Sequence, residues 1–414
     1  LIKINVGELR PRQNKEYLGE IMKNRIMIVG AGTGGITVAA QLNKKLGNEL
    51  DITIFDPQET HYYQPMWTLI GAGVFKQSDS AKPNITLIPS GVKWIKKGVK
   101  AFLPEFKKIV LSDDSQESYD YLVVAPGIQL DWGKIKGLPE ALKTPGVCSN
   151  YALNGSTKTF QEVQNLKSGR AIFTQPRLPI KCAGAPQKAA YMSEDYWRTH
   201  GVRSNIEVVF ANHGARIFGV EKYRVALEKV VARKEITTCY EHDLVEVKPE
   251  TKEAVFEHSD KTLVTMKYDL LHVVPPQSAP DFIKHSSLAD AQGWVEVDKF
   301  TLQHTRFPEV FALGDASSLP TSRTGAAIRK EAPVLVANLL AHRAGLPLEA
   351  KYNGYTSCPL VTGRGTAIMA EFDYDGNPME TFPFDQAKER WSMWFVKAHL
   401  LPKLYWYGML KGRA

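Results

Sequence analysis

The stretch Arg25–Asp56, RIMIVGAGTGGITVAAQLNKKLGNELDITIFD, decides the fold. Its opening run, RIMIV, is apolar and β-rich and reads as a strand entering GAGTGG. Apolar residues then recur at helical spacing from Ile36 to about Leu46, and a second strand, Ile52–Phe55, ends at Asp56. Gly30, Gly32 and Gly35 make G-x-G-x-x-G, and Asp56 lies 21 positions after Gly35. Gly30 permits the tight turn, Gly32 lets backbone approach a pyrophosphate, and Gly35 lets helix pack on sheet. Free N–H groups at the helix start hold phosphates, and the acid takes ribose hydroxyls. Three glycines alone would only mark a turn. Strand, turn, helix, strand and acid in that order specify a dinucleotide-binding unit.

Downstream, short strands alternate over 94–124 and close on YDYLVVAPG, whose turn residue Gly127 joins the cofactor-binding set. A Pro/Gly-rich passage, Gly133–Gly146, reads as a crossover. Strand Ala171–Thr174, helix Ala185–His200 and strand Ile206–Phe210 then repeat the βαβ grammar without the glycine triplet. The turn reads IKCAGAPQK, Ile180–Lys188, with Cys182 where a nicotinamide site would need glycine, and Asn212 where it would need an acid. Strand-like segments continue to Val274, where PPQSAP marks a break. Strand Val310–Leu313 enters Gly314-Asp315, ahead of a helix from about Gly325 to Arg343. Asp315 there suits the ribityl or pyrophosphate part of FAD; read alone it is equally a helix-capping aspartate. Its pairing with the first fingerprint favours FAD.

The fold class is therefore α/β: a tandem Rossmann-like flavoprotein. The expected organisation is a discontinuous FAD-binding domain (22–150 and 295–345) and a second Rossmann-like domain (151–294) without a nicotinamide fingerprint. Residues 346–414 form a C-terminal region.

A chain of 414 residues buries a large core without staples. Its four cysteines, Cys148, Cys182, Cys239 and Cys358, are too few and scattered for a disulfide framework, and no CxxC pair suggests a metal site. The formal charge of +8 favours anionic partners, yet the basic residues are dispersed and no nucleic-acid motif is present. No uncharged apolar run reaches the ~20 residues that span a bilayer. Met22 directly precedes the first strand; residues 1–21 read as sequence upstream of a true start, a linker or the remnant of a leader. Trp391–Leu410, WSMWFVKAHLLPKLYWYGML, is rich in aromatics and interrupted by lysines. Pro402 is expected to split it into two helical pieces. It reads either as an interfacial anchor, rings among acyl chains and basic heads among phosphates, or as a hairpin on the protein's own core.

Several blocks in order carry a resemblance: HYYQPMWTLIGAG (61–73), IKCAGAPQK, GDASSLPTS (314–322), GYTSCPLVTG (354–363) and AEFDY (370–374). The chain resembles the sulfide:quinone oxidoreductases, the mitochondrial-type branch and its bacterial relatives, from Arg25 to about Tyr407. The resemblance implies bound FAD, a redox-active cysteine pair beside the flavin and a quinone pocket near membrane-associating C-terminal helices. By position it makes Cys182 the flavin-side cysteine and Cys358 the partner that receives sulfide sulfur. It matches Lys397 to a lysine near flavin and quinone, and Lys188 to a second candidate for the quinone or anion site; otherwise each lysine reads as a solvated charge. Arg364 departs from the family, which often has an aromatic there. Cys148 and Cys239 read as small buried hydrophobes.

The implied partners are hydrogen sulfide, ubiquinone or menaquinone, and a sulfur acceptor such as glutathione, sulfite or sulfide. The implied location is the surface of an energy-transducing membrane, either the bacterial cytoplasmic or the mitochondrial inner membrane. Competing readings are a type II NADH:quinone oxidoreductase of the same fold, disfavoured by the missing second fingerprint, and a flavin electron-transfer subunit with a cytochrome partner.

Overall fold

A computed structural model describes residues 23–414, so the expectations for residues 1–22 lie outside the described residues. In chain order the elements that position the site are β1 (Asn24–Val29), α1 (Thr33–Leu46), β2 (Leu50–Phe55), β3 (Lys93–Ile95) and β4 (Tyr121–Val124). They continue with β5 (Val147–Cys148), β6 (Gly169–Gln175), α2 (Ala185–Thr199), β7 (Ile206–Asn212), β8 (Ile236–Tyr240) and β9 (Leu270–His272). The last are β10 (Val310–Ala312), α3 (Gly325–Arg343), β11 (Thr356–Gly363) and β12 (Thr366–Phe372).

Two five-stranded parallel sheets dominate. The first has the order β10-β4-β1-β2-β3, and the second β5-β9-β6-β7-β8. Helices and small antiparallel sheets pack against both, which is why their strands are apolar runs rather than alternating ones. In the first sheet β1 lies between β2 and β4, so chain order reverses at its carboxyl end. That reversal opens the crevice where such sheets hold ligands. Three residues of the first unit's core, Val295, Val310 and Leu335, come from beyond the second sheet in the chain.

The second unit begins before residue 151, the boundary expected from the sequence. Val147–Cys148 pairs with β9 in the second sheet, and Ile135, Leu138 and Ala141 pack against Ile172 and Val209 of that sheet. Burying these apolar residues on the second sheet draws the chain across earlier than the Pro/Gly passage suggested. The β11–β12 hairpin packs on α2. Pro402 does not split the tail either: the chain is helical without interruption from Trp391 to Lys411. Wider, π-type turns at Val396–Leu400 and Leu404–Gly408 flank the proline, and the loosened winding accommodates its missing N–H and its ring.

Candidate functional site

Gly30 adopts φ +100°, and a Cβ there would sit 2.5 Å from the Ala125 carbonyl oxygen. At Gly35 a Cβ would drive into the Gly30 carbonyl. These two glycines are demanded by packing, behind the wall of the site. Gly32 and Gly127 differ. A Cβ at either would meet no protein atom within 4 Å, and both line a cavity of about 620 Å³ at the carboxyl end of the first sheet. Asp56 lines it too, and its carboxylate accepts the N–H groups of Ala31 (2.6 Å) and Gln58 (2.7 Å). The acid therefore fixes the glycine turn as well as facing the cavity; burial raises its pKa against those two hydrogen bonds.

Asp315, Cys182, Lys188 and Lys397 line the same cavity, so one space gathers residues from every part of the chain. Its walls fit a dinucleotide. The first N–H groups of α1 lack intrahelical acceptors, and the open sides of Gly32 and Gly127 leave room for phosphates. Trp67 Nε1, Asn84 Oδ1 and Asn150 Oδ1 are buried in the lining residues without a partner among the described residues. Each such orphan costs about 1–3 kcal/mol unless a ligand or water meets it.

The second unit cannot hold a pyrophosphate in the same way. β6 ends at Gln175 but α2 starts only at Ala185, so a long loop replaces the tight glycine turn. Cys182 in that loop has φ +54°, a left-handed conformation that glycine normally takes and that costs a non-glycine residue about 1 kcal/mol or more. Asn212 spends its side chain locally, accepting from Gly214 N–H and donating to the Arg216 carbonyl.

The loop instead delivers sulfur. Cys182 Sγ lies 3.4 Å from Cys358 Sγ, across 176 positions of sequence. Cys358 rides on β11, buried at 2% exposure behind the cavity wall. Gly184 permits the approach, since a Cβ there would lie 2.6 Å from Cys358 Sγ and 2.5 Å from Leu360 Cδ2. Lys188, one turn into α2, places Nζ 3.3 Å from Cys182 Sγ and 3.9 Å from Cys358 Sγ. The hydrogen bond from Cys358 holds the Cys182 thiol well below its ordinary range despite burial, aided by the charges of Lys188 and Lys397. That same bond and burial push Cys358 well up. In the reduced pair these shifts favour the negative charge on Cys182 over Cys358. Lys397 Nζ donates to the Pro65 carbonyl at 3.0 Å, and burial, with the nearby Lys188 charge, pulls its amine down to about 8. Neither lysine is a solvated surface charge: both are buried.

Replacing Lys188 by methionine removes the cation nearest the thiolate. The acidic limb of the pH–rate profile should move to higher pH by about one to two units. An unshifted limb would show that Lys188 does not set the thiolate fraction.

Several cavity residues escaped the sequence reading. Lys181 donates to Gln64 Oε1 (2.6 Å) between the rings of Trp67 and Tyr151, its amine pulled to about 8 by burial. Behind the wall, Glu331 accepts the Gly314 N–H (2.8 Å), and burial pushes its carboxyl up to about 8. His61 and Tyr405 also line the cavity. A lysine beside a motif cysteine was the one available signal; the others sit in ordinary helical or loop contexts. Arg364, at the hairpin turn, donates to the Ala72 carbonyl (3.0 Å) and does not line the cavity. Cys148 and Cys239 lie in the second unit's cores, and neither lines the cavity.

The profile of the pyridine nucleotide-disulphide oxidoreductases matches residues 24–333. The chain is 47% identical over 413 residues to the mitochondrial sulfide:quinone oxidoreductase of Dictyostelium discoideum, covering 99% of this chain and 90% of that protein. It is 46% identical over 390 residues to the Mus musculus protein of the same name, covering 94% and 86%. The solved sulfide:quinone oxidoreductase of Aquifex aeolicus superposes with a TM-score of 0.80 over 94% of this chain and 92% of that one; at 17% identity this speaks to the fold.

Proposed function

The chain belongs to the sulfide:quinone oxidoreductases, and from that premise we propose that Cys182 and Cys358 are its catalytic pair. The enzyme is an FAD-dependent oxidoreductase that passes electrons from sulfide to a quinone. The observation that carries the cysteine assignment is the 3.4 Å sulfur contact at the edge of the nucleotide cavity, with Lys188 beside it. Gly30, Gly32, Gly35, Asp56, Gly127, Asp315 and Lys397 are assigned to the FAD site, and Lys188 and Lys397 to the quinone or anion end. The units assigned are a discontinuous FAD-binding domain, a second Rossmann-like domain and the C-terminal region from 346.

When bound, FAD accepts two electrons from the sulfur side and yields them to the quinone. The protein's own residues prepare that exchange. Oxidation would bridge the two cysteines, as a plain disulfide or through one intervening sulfur, and a separation of 3.4 Å between the free thiols brings them close enough for either. Hydrosulfide attack on the Cys358 sulfur breaks its bond to the bridge, leaves a persulfide on Cys358 and releases the Cys182 side as an anion. Lys188 and Lys397 stabilise that anion in a place water reaches poorly. Glutathione, sulfite or further sulfide then removes the sulfane sulfur from Cys358.

The tail supports attachment to a membrane surface. No helix among the described residues is long and apolar enough to cross a bilayer. Trp391, Phe395, Leu400, Leu404 and Tyr407 are exposed along one helical run that also carries exposed Lys403 and Lys411, a face suited to acyl chains and anionic headgroups. We assign it to the mitochondrial inner membrane, where the quinone resides.

Anaerobic flavin spectroscopy tests the reading. Sulfide should bleach the bound flavin and a short-chain quinone restore it, while NADH should act slowly or not at all, because the second unit has no phosphate turn. Rapid bleaching by NADH with none by sulfide would overturn the assignment in favour of a type II NADH:quinone oxidoreductase.

A further inference from the structure

The C-terminal helical run has two working faces. Outward it shows Trp391, Phe395, Leu400 and Tyr407, with Leu404 at the mouth of the cavity. Inward, Tyr405, Trp406, Met409 and Leu410 are buried in the core of the first unit. Past the last helical turn, Gly412 presses on α1 so closely that a Cβ would stand 2.9–3.0 Å from the backbone of Ala40 and Gln41.

Tyr405 reaches furthest. Its hydroxyl lies 2.8 Å from Thr33 Oγ1, 372 positions away, and is hydrogen-bonded to His61 Nε2; His61 Nδ1 lies 3.0 Å from the Ala31 carbonyl oxygen. The polarity of this chain follows from its end. A carbonyl only accepts, so Nδ1 carries the proton; the imidazole, buried and with its pKa lowered to about 4, is neutral, which leaves Nε2 an acceptor. Tyr405 therefore donates to His61, and Thr33 donates to Tyr405. Ala31 and Thr33 flank Gly32 at the start of α1, and Thr33, His61 and Tyr405 all line the nucleotide cavity.

We propose that Tyr405 is a positioning residue for the nucleotide turn, and that through it FAD binding and membrane attachment of the tail are thermodynamically linked. The inference rests on the FAD and membrane readings above. The turn that would hold the phosphates is braced by the tail whose other face meets lipid, and the two faces share one uninterrupted helical run. Whatever steadies the outer face steadies the brace, and linkage requires the reverse effect to be equal.

The test is FAD titration of deflavinated full-length protein by flavin fluorescence, with and without vesicles of phosphatidylcholine and phosphatidylglycerol. Vesicles should tighten FAD binding by wild type, and FAD should tighten vesicle binding by the same factor. Tyr405→Phe keeps the ring packing against Tyr63 (centroids 4.5 Å) but loses both hydrogen bonds. It should weaken FAD binding about tenfold and lose most of the vesicle effect. Thr33→Val should weaken FAD in the same direction, since it cuts the same chain from the other end. Equal FAD affinities in wild type and Tyr405→Phe, or a wild-type affinity indifferent to vesicles, would overturn the linkage. A wild type that takes up no FAD at all would overturn the cofactor reading instead, a result distinguishable from both.

Discussion

Cys182→Ala and Cys358→Ala should each lower sulfide:quinone turnover by at least about 10³-fold, the loss expected when one member of a covalent relay is removed. Both should keep stoichiometric FAD, because neither thiol touches the Gly30–Gly35 turn. Their failures should differ. Without Cys358 there is no sulfur bridge to attack, and sulfide should reduce the flavin only sluggishly. Without Cys182, hydrosulfide still meets a thiol at Cys358, but the anion that Lys188 and Lys397 stabilise never forms. Cys148→Ala and Cys239→Ala are the controls. Burial pushes Cys148 up to about 12 and raises Cys239, so neither supplies a thiolate near neutral pH. Stopped-flow reduction and steady-state turnover on the four variants check this. Full turnover in either Cys182→Ala or Cys358→Ala would end the mechanism.

The glycine turn makes the second large prediction, because its members serve different ends. Gly35→Ala forces a methyl into the Gly30 carbonyl, a backbone atom that cannot swing aside. It should destabilise the apoprotein by about 3 kcal/mol or more, at or beyond the usual cost of overpacking. Gly32→Ala has an ordinary φ of −78° and open space around its new methyl, so the apoprotein should melt like wild type. That open space is the nucleotide cavity, however, and the methyl should cut FAD affinity at least about tenfold by keeping phosphate off the backbone. Melting of deflavinated protein and flavin stoichiometry read the two effects separately. A Gly32→Ala variant with wild-type FAD content would show that the turn does not hold the pyrophosphate.

The dinucleotide unit was legible in the sequence because its determinants are local. Gly30, Gly32 and Gly35 are set by one turn, and α1 and β2 by the apolar spacing on either side. Asp56 follows from strand length. The same locality showed that the second unit departs from the pattern at Cys182. Residue identities also carried the family blocks, and with them the pairing of Cys182 with Cys358. What spacing could not supply was distance. The sulfur contact depends on the β11–β12 hairpin packing on α2, with Gly184 bare enough to admit Cys358. The burial that turns Lys188 and Lys397 from surface charges into partners of a thiolate is likewise a product of packing. The same holds for the start of the second sheet at Val147 and for the unbroken helix through Pro402. The tail's aromatic composition announced an interfacial face, yet composition is blind to which rings turn inward. Only the assembled core places Tyr405 on Thr33, since a hydrogen bond across 372 positions is decided by the surfaces that must be buried between them.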